Sequence, residues 1–144
     1  HLGAQVLLDV ENHHNFAWKE NHGGEDVIVH RKGATPAGAG VLGVIPGSMG
    51  GESYIVRGRG EPLSWRSCSH GAGRTLSRRA ARKRFGAADL TTAMEGRTWQ
   101  LAQAEALLDE IPAAYKDITL VMRAQSALVR IVRRLEPLLS YKAT

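Results

Sequence analysis

The sequence lacks the features that define several protein classes. It contains one cysteine, Cys68, in 144 residues, which excludes an internal disulfide and a cysteine-based zinc cluster and suits a reducing, cytoplasmic location. Its apolar runs are short, so no segment approaches the ~20 residues of a membrane-spanning helix. Residue 1 is histidine and no basic and then apolar leader follows it, so no secretory signal is expected. The H-E-x-x-H, C-x-x-C and P-loop motifs are missing, so these metal and nucleotide sites are not indicated.

The composition is that of one compact domain with an uneven distribution of charge. Hydrophobic residues make up 43% of the chain, enough to build a core. Residues 1–56 hold three basic and six acidic residues, residues 57–84 nine and one, and residues 85–144 seven of each. The net charge of +5 therefore comes from the middle segment. Such a segment indicates a polyanionic partner, either a nucleic acid or a nucleotide phosphate, although a solvated helix face would look the same.

Alternating and β-branched residues predict strands in the first half of the chain. The predicted strands are residues 26–31, 41–45 and 53–57, separated by glycine-rich connections. Residues 5–10 form an apolar run that predicts a buried strand, which would deliver the side chains of residues 11–15 at its end. Together these segments predict a β-meander or a small mixed or antiparallel sheet.

Helical periodicity follows in the second half. A helix is predicted directly after Gly73, with Arg74, Arg78 and Arg82 at i, i+4 and i+8 on one face that could bind several phosphates. Further helices are predicted over residues 97–110 and 118–128, while residues 129–141 could be helix or strand. Strands first and helices later predict an α+β fold in a single segment, residues 1–144.

The segment SCSHGAGR, residues 67–74, is the most informative motif. Gly71 and Gly73 remove side chains where a ligand could approach the backbone, and the helix expected after them would favour an anion at its N-terminus. His70 could act as a general base beside Cys68, hydrogen-bond a phosphate, or attack phosphorus itself. On the residues alone, the motif predicts phosphate binding and leaves the reaction open.

Five short blocks in order resemble the carboxy-terminal part of the RtcB family, the GTP-dependent tRNA-splicing RNA ligases. The blocks are HHN at residues 13–15, HRKGA at 30–34, IPGSMG at 45–50 with SY at 53–54, SCSHGAGR at 67–74 with SR at 77–78, and EIP at 110–112 with YKD at 115–117. The resemblance covers nearly the whole chain, so the α+β segment is expected to be part of a larger RtcB-like fold.

The resemblance implies a reaction and a role for individual residues. Family members join an RNA 3′-phosphate or 2′,3′-cyclic phosphate to a 5′-hydroxyl end with GTP and manganese, in tRNA splicing or RNA repair. His70 matches the histidine that becomes guanylylated, His14 matches a manganese ligand, and Asn15 matches a nucleotide contact. The remaining matches to nucleotide-binding positions are Pro46, Gly47, Ser48, Met49, Ser53, Gly71, Ala72, Gly73 and Lys142.

Charge and position predict contacts with RNA phosphates, and part of the family's sequence has no counterpart in this chain. Arg31, Lys32, Arg74 and Arg78 are candidates for RNA phosphates. The family's amino-terminal elements, which hold its other metal ligands, have no counterpart here, so the chain alone is expected neither to bind manganese tightly nor to guanylylate itself. Two alternatives stay open: a nucleic-acid or phosphate-binding module without chemistry, and a thiol enzyme that uses Cys68 with His70.

Overall fold

The computed structural model describes residues 3, 5–6 and 9–142, and it confirms the α+β class. Its helices are short and its strands form several small sheets, antiparallel except for one parallel pair. The elements are β1 (Asn15–His22), β2 (Glu25–Lys32), β3 (Ala34–Pro36), β4 (Leu42–Pro46), β5 (Ser53–Gly58), β6 (Ser67–Ser69), α1 (Arg78–Arg84), α2 (Ala87–Ala93), β7 (Thr98–Trp99), α3 (Ile118–Ala124), β8 (Val129–Leu135) and β9 (Leu139–Ser140). None of the helices in this part of the chain is long and apolar enough to cross a membrane.

Three of the predicted strands are confirmed and one is wrong. β2, β4 and β5 coincide with the predicted strands to within one residue at each end. In residues 5–10 the described positions are not in a strand, and positions 7 and 8 lie outside the described residues. The chain instead becomes a strand at Asn15, where β1 pairs with β2 around a turn at Gly23 and Gly24, both with positive φ.

The three-stranded sheet β4–β5–β8 is the largest one, and its inner face builds the first core. Alternate residues of β5, Tyr54 and Val56, are buried, and they pack against Ile118 and Met122 of α3. Val129 to Leu135, for which the sequence allowed either helix or strand, is the strand β8 antiparallel to β5. The first core consists of Ala37, Ile45, Tyr54, Val56, Cys68, Ala72, Ile118, Met122 and Val129.

The helix predicted directly after Gly73 begins four residues later. Gly73 has a φ of +72°, Arg74 forms a β-bridge with Tyr115, and the Ser77 hydroxyl caps the helix by accepting from the Ala80 amide. α1 therefore spans Arg78–Arg84. Arg74 is not on this helix, and the helix N-terminus is not at the glycines, so the predicted helix-dipole contribution to an anion site there is wrong.

The helix predicted over residues 97–110 is also wrong. Thr98 pairs with Leu139 in the parallel β7–β9 pair, and the Gln100 side chain bonds to both backbone groups of Lys142. These contacts hold the backbone out of a helix, and two 3₁₀ turns follow, at Leu101–Gln103 and Leu108–Glu110. Ala104, Leu107 and Leu108 of this segment still pack inward, whereas Leu101 is exposed. α2 is an unpredicted helix beside them. α3 confirms the third helix but ends at Ala124.

The 3₁₀ turns and α2 form a second core next to the first. It consists of Met49, Ala81, Leu90, Met94, Ala104, Leu107, Leu108, Ile111 and Ala114. Tyr115 is half-buried and packs against both cores. The motif of residues 67–74 buries Cys68 and Ala72 in the first core and meets Tyr115 at Arg74, so it runs from the first core to the boundary between the two cores.

Candidate functional site

Two histidine rings meet where β6 ends. The rings of His70 and His14 are stacked, with centroids 5.0 Å apart and an interplanar angle of 7°. Gly33 holds both backbones: its amide donates to the His14 carbonyl at 3.0 Å, and its carbonyl accepts from the His70 amide at 3.4 Å. Gly33 has a φ of +73°, and a Cβ there would lie 3.7 Å from His70 Nδ1. The positive φ therefore favours glycine at this position, and a Cβ there would make only an ordinary contact with the ring.

The paired rings border a cavity of about 260 Å³. Its lining comes from four parts of the chain: Val10, Asn12, His14, Thr35, Val44, Pro46 and His70. The Asn12 amide oxygen accepts from the Val44 amide at 3.0 Å and ties the segment before His14 to β4. Sequence reasoning missed Asn12, although its place just before the histidine pair was a usable signal. The His13 ring points elsewhere, making edge contacts with Phe16 and Trp18.

The glycine segment after His70 packs directly on the loop after β4. The Ala72 amide donates to the Pro46 carbonyl at 3.0 Å, and a Cβ on Gly71 would lie 3.1 Å from the same oxygen. The structure thus brings together two of the predicted nucleotide-binding segments, residues 71–73 and the loop that starts at Pro46. Asn15 is exposed at the first position of β1, directly after His14.

The loop of residues 46–52 is itself compact. A Cβ on Gly47 would lie 2.3 Å from the Glu52 carbonyl, and the Ser48 carbonyl accepts from the Gly51 amide at 3.0 Å. The Met49 side chain is buried in the second core, so Met49 can offer only its backbone to a ligand. Ser53, half-buried, begins β5 after this loop.

Lys142 lies in a different cavity, of about 610 Å³. Its lining residues are Arg78, Arg82, Ala106, Leu107, Asp109, Glu110, Tyr115 and Lys142. One carboxylate oxygen of Glu110 lies 3.4 Å from Lys142 Nζ and accepts from the Tyr115 hydroxyl at 2.8 Å. Burial alone would raise the pKa of Glu110, but the Tyr115 hydrogen bond and the cations Lys142 and Arg74 lower it on balance. The carboxylate is therefore ionised at neutral pH.

Three arginines predicted to form one phosphate-binding row are paired with acidic or carbonyl oxygens instead. Arg74 donates to Tyr115 and to the Asp109 carbonyl, while Arg82 forms a salt bridge with the Asp109 carboxylate. Arg78 lies 3.2 Å from the same carboxylate, but its side chain is 73% exposed. Of the three, only Arg78 keeps a guanidinium largely free to meet a phosphate.

Arg31 is in a position that does not support the predicted RNA contact. Its side chain is 3% exposed and forms a bidentate salt bridge with Glu20. It also donates to the Ser67 hydroxyl and to the Trp65 carbonyl. Four of the five N–H donors of its guanidinium are therefore already engaged by the protein. Lys32, the next residue, is exposed at the end of β2.

Cys68 is a packing residue and not an activated thiol. Its side chain is buried in the first core, and its sulfur lies 3.3 Å from the Thr35 hydroxyl. Burial raises the pKa of the Cys68 thiol, so the sulfur stays protonated at neutral pH. The thiol-enzyme alternative therefore has no support in the structure.

The described residues do not assemble a complete metal site. No group of three or more His, Cys, Asp or Glu side chains in residues 3, 5–6 and 9–142 is placed to hold a metal ion. His14 offers a single imidazole, and its nearest aromatic neighbour is the His70 ring. A manganese ion would thus need ligands from outside this part of the chain.

The fold and the site together define an α+β domain in which paired imidazoles border a small cavity and a glycine segment follows one of them. The family model described as "tRNA-splicing ligase RtcB" matches residues 1–143. The chain is 49% identical over 140 residues to the RNA-splicing ligase RtcB of Escherichia coli K12. It is 41% identical over 155 residues to that of Mycobacterium tuberculosis, and 36% over 163 residues to the tRNA-splicing ligase RtcB of Methanopyrus kandleri.

The chain therefore belongs to the RtcB family. The matches cover 95%, 92% and 95% of this chain, but only 33%, 35% and 16% of the respective relatives. The chain thus spans about a third of the length of the bacterial relatives.

Proposed function

We propose that this chain is the nucleophile-bearing portion of an RNA ligase that joins RNA 3′-phosphate or 2′,3′-cyclic phosphate ends to 5′-hydroxyl ends. The observation that carries the proposal is the His70 ring, stacked on His14 at the rim of a cavity and followed by a glycine segment. The His70 ring is half-buried, and its face away from His14 could approach phosphorus. The proposal extends to this chain what the names of its relatives say of them.

From a 3′-phosphate end the proposed reaction has three steps, and a 2′,3′-cyclic phosphate must first be opened to that end by water, which breaks the bond between phosphorus and O2′. A neutral His70 nitrogen attacks the α-phosphorus of GTP, so a P–N bond forms and the bond to pyrophosphate breaks. An oxygen of the RNA 3′-phosphate then attacks the same phosphorus, and the histidine leaves. In the last step the 5′-hydroxyl attacks the activated 3′-phosphate, loses its proton, and expels GMP.

The surrounding residues are suited to hold the nucleotide. Gly73 has a φ of +72° and nothing within 4 Å of where a Cβ would stand, so its backbone is open to close contact with a phosphate. We assign the other predicted nucleotide contacts to backbone or polar groups around it: Asn15, Pro46, Gly47, Ser48, Met49, Ser53, Gly71 and Ala72. Lys142 would contact the base from the second cavity, with Glu110 and Tyr115 beside it.

His14 is the residue of this chain that we propose as a manganese ligand. Manganese supplies charge neutralisation at the phosphates when bound. His14 would give one of its ligands, and the others would come from the two-thirds of the relatives that this chain does not match. The chain alone is therefore proposed to be inactive, and Lys32 and Arg78 remain as exposed candidates for RNA phosphates.

The test is a chimera in which this chain replaces the 140 matched residues of the Escherichia coli relative. With α-labelled GTP and manganese we expect an acid-labile protein label and joining of 3′-phosphate to 5′-hydroxyl RNA. His70→Ala should reduce both to background, because the P–N bond cannot form.

Two comparisons complete that test. His30→Ala removes an exposed imidazole from β2 and should leave label and ligation unchanged. A chimera that is folded but labelled equally with and without His70 would refute the proposal, and so would ligation that needs no GTP. Label on this chain alone would instead refute the proposed need for additional metal ligands.

A further inference from the structure

The three-stranded sheet has an outer face that the first core does not use. Side chains alternate along a strand, so the residues between the buried Tyr54 and Val56 of β5 point to the other face. These are Ile55 and Arg57, and their partners on β4 are Val44 and Leu42. Val44 also lines the cavity of His70. The outer face is therefore continuous with the candidate site.

Three arginines gather on this face. Arg57 is paired directly with Arg130 of β8, and Arg133 is paired with Ile55 in the neighbouring row. A register shift between Ile55 and Val56 adds one residue to β8, which brings Arg130 and Arg133 to the same face although they are three apart. Both β8 arginines are exposed.

The arrangement is electrostatically unfavourable without an anion. Like charges directly opposite on neighbouring strands destabilise a sheet. Across residues 9–142, no carboxylate lies within ion-pair distance of Arg57, Arg130 or Arg133, and the one hydrogen bond of the Arg57 guanidinium goes to the Gly40 carbonyl. Arg134, on the inner face of the same strand, has two such partners, Glu52 and Glu136. The outer arginines thus differ from their neighbour in having no protein counter-ion there.

The spacing suits an extended polyanion that leads to His70. Neighbouring strands lie about 4.8 Å apart, so Arg133 is two strands, roughly 10 Å, from the Val44 position at the cavity wall. The next row, Leu42, Arg57 and Arg130, continues away from the cavity. The phosphates of an extended polyanion whose end lies at His70 could therefore follow these arginines across the sheet.

We propose that the outer face of the β4–β5–β8 sheet binds the backbone of single-stranded RNA next to the end held at His70, with Arg57, Arg130 and Arg133 as its phosphate contacts. The proposal rests on the proposed function for the identity of the polyanion. Such contacts carry no sequence information, so this face would fix the path of the strand and not its sequence.

The experiment measures binding of a short fluorescent single-stranded RNA with a 3′-phosphate to this chain by anisotropy, between about 50 and 200 mM salt. The double variant Arg130→Gln/Arg133→Gln should bind the RNA more weakly by roughly an order of magnitude. Its slope of log binding constant against log salt concentration should be shallower by about 1.4, since each phosphate contact on a single strand contributes about 0.7.

The matched control is Arg97→Gln/Arg123→Gln, which removes the same charge from exposed positions outside this sheet. It should keep the wild-type slope. Equal losses of affinity in both double variants would overturn the proposal, because only net charge would then matter. The proposal would also be overturned if Arg130→Gln/Arg133→Gln bound the RNA as tightly as the wild-type chain does. Circular dichroism of each variant verifies the fold. Guanylylation of the chimera is scored separately, so failure of this face and failure of the ligase proposal are distinguishable.

Discussion

At the scale of single residues, the sequence indicated candidate site residues that share a motif but not the polar partners that position them. The stacking of His14 on His70 was not predicted, since 55 residues lie between them and nothing in their local pattern places one ring on the other. Arg31 was predicted to contact RNA from its charge and position, and neither shows that its side chain is buried. Its partner Glu20 lies on the other strand of the hairpin, and only the hairpin register brings the two together.

Glu20 gives a prediction about stability and pH. The hydrogen bond from Arg31 is the main cause that lowers the pKa of Glu20 from 4.5 to about 2, against the opposing effect of burial. Glu20→Gln leaves the Arg31 guanidinium buried without a counter-charge and should lower the free energy of unfolding by about 3 kcal/mol. Urea denaturation at pH 7 measures this loss.

The sign of the pH dependence follows from the direction of the shift. A folded-state pKa below the unfolded value gives stability that is present above pH 4.5 and is lost as the pH falls from there toward 2. In Glu20→Gln this acid-dependent contribution should be absent. Glu25→Gln, an exposed change at the start of β2, is the control, and an equal loss in both variants would contradict the prediction.

At the scale of elements, strands were predictable where alternation was strong, and helices were not predictable where tertiary contacts overrode periodicity. β2, β4 and β5 follow directly from their residue types. Residues 97–110 have a helical apolar stripe, yet pairing of Thr98 with Leu139 and the two bonds of Gln100 to Lys142 favour 3₁₀ turns. These partners are about 40 residues away, beyond any local pattern.

α1 depends on the 3₁₀ turn beside it, which makes Asp109 the residue to test. This buried carboxylate accepts from Arg82 and lies 3.2 Å from Arg78, both on a helix of only seven residues. Asp109→Asn should weaken both contacts and lower the free energy of unfolding by about 2 kcal/mol. Native-state hydrogen exchange should show faster exchange at the Phe85 amide, which closes α1. The exposed Glu105→Gln is the control, and unchanged exchange in Asp109→Asn would contradict the prediction.

At the scale of the whole molecule, two cores share one half-buried tyrosine. Tyr115 packs against both, donates its hydroxyl to Glu110, and accepts from Arg74. The sequence offered its block, YKD at residues 115–117, as a family signature, but periodicity could not show that one residue bridges two cores. Division into two cores depends on contacts between distant segments, which composition does not encode.

Tyr115→Phe tests that bridge. It keeps the ring packing but removes a hydroxyl whose partners are half-buried, so the free energy of unfolding should fall by about 1–2 kcal/mol. If the two cores unfold together because of these bonds, the denaturation transition should also broaden, with a lower m-value. Tyr141→Phe, at a 78% exposed ring, should change neither quantity. An unaltered midpoint in Tyr115→Phe would show that the ring alone joins the cores.

The buried side chain of Met49 would couple ligand binding at its loop to packing in the second core. Its backbone belongs to the loop beside Pro46 and Gly47, while its thioether is packed with Leu90 and Met94. Any ligand that stiffened this loop would restrict the thioether as well, and the constraint would pass into α2 through packing alone. Binding of a ligand at this loop and rigidity of the second core would then be thermodynamically linked. A more rigid second core would raise the affinity for the ligand by the same factor by which the ligand favours the rigid core.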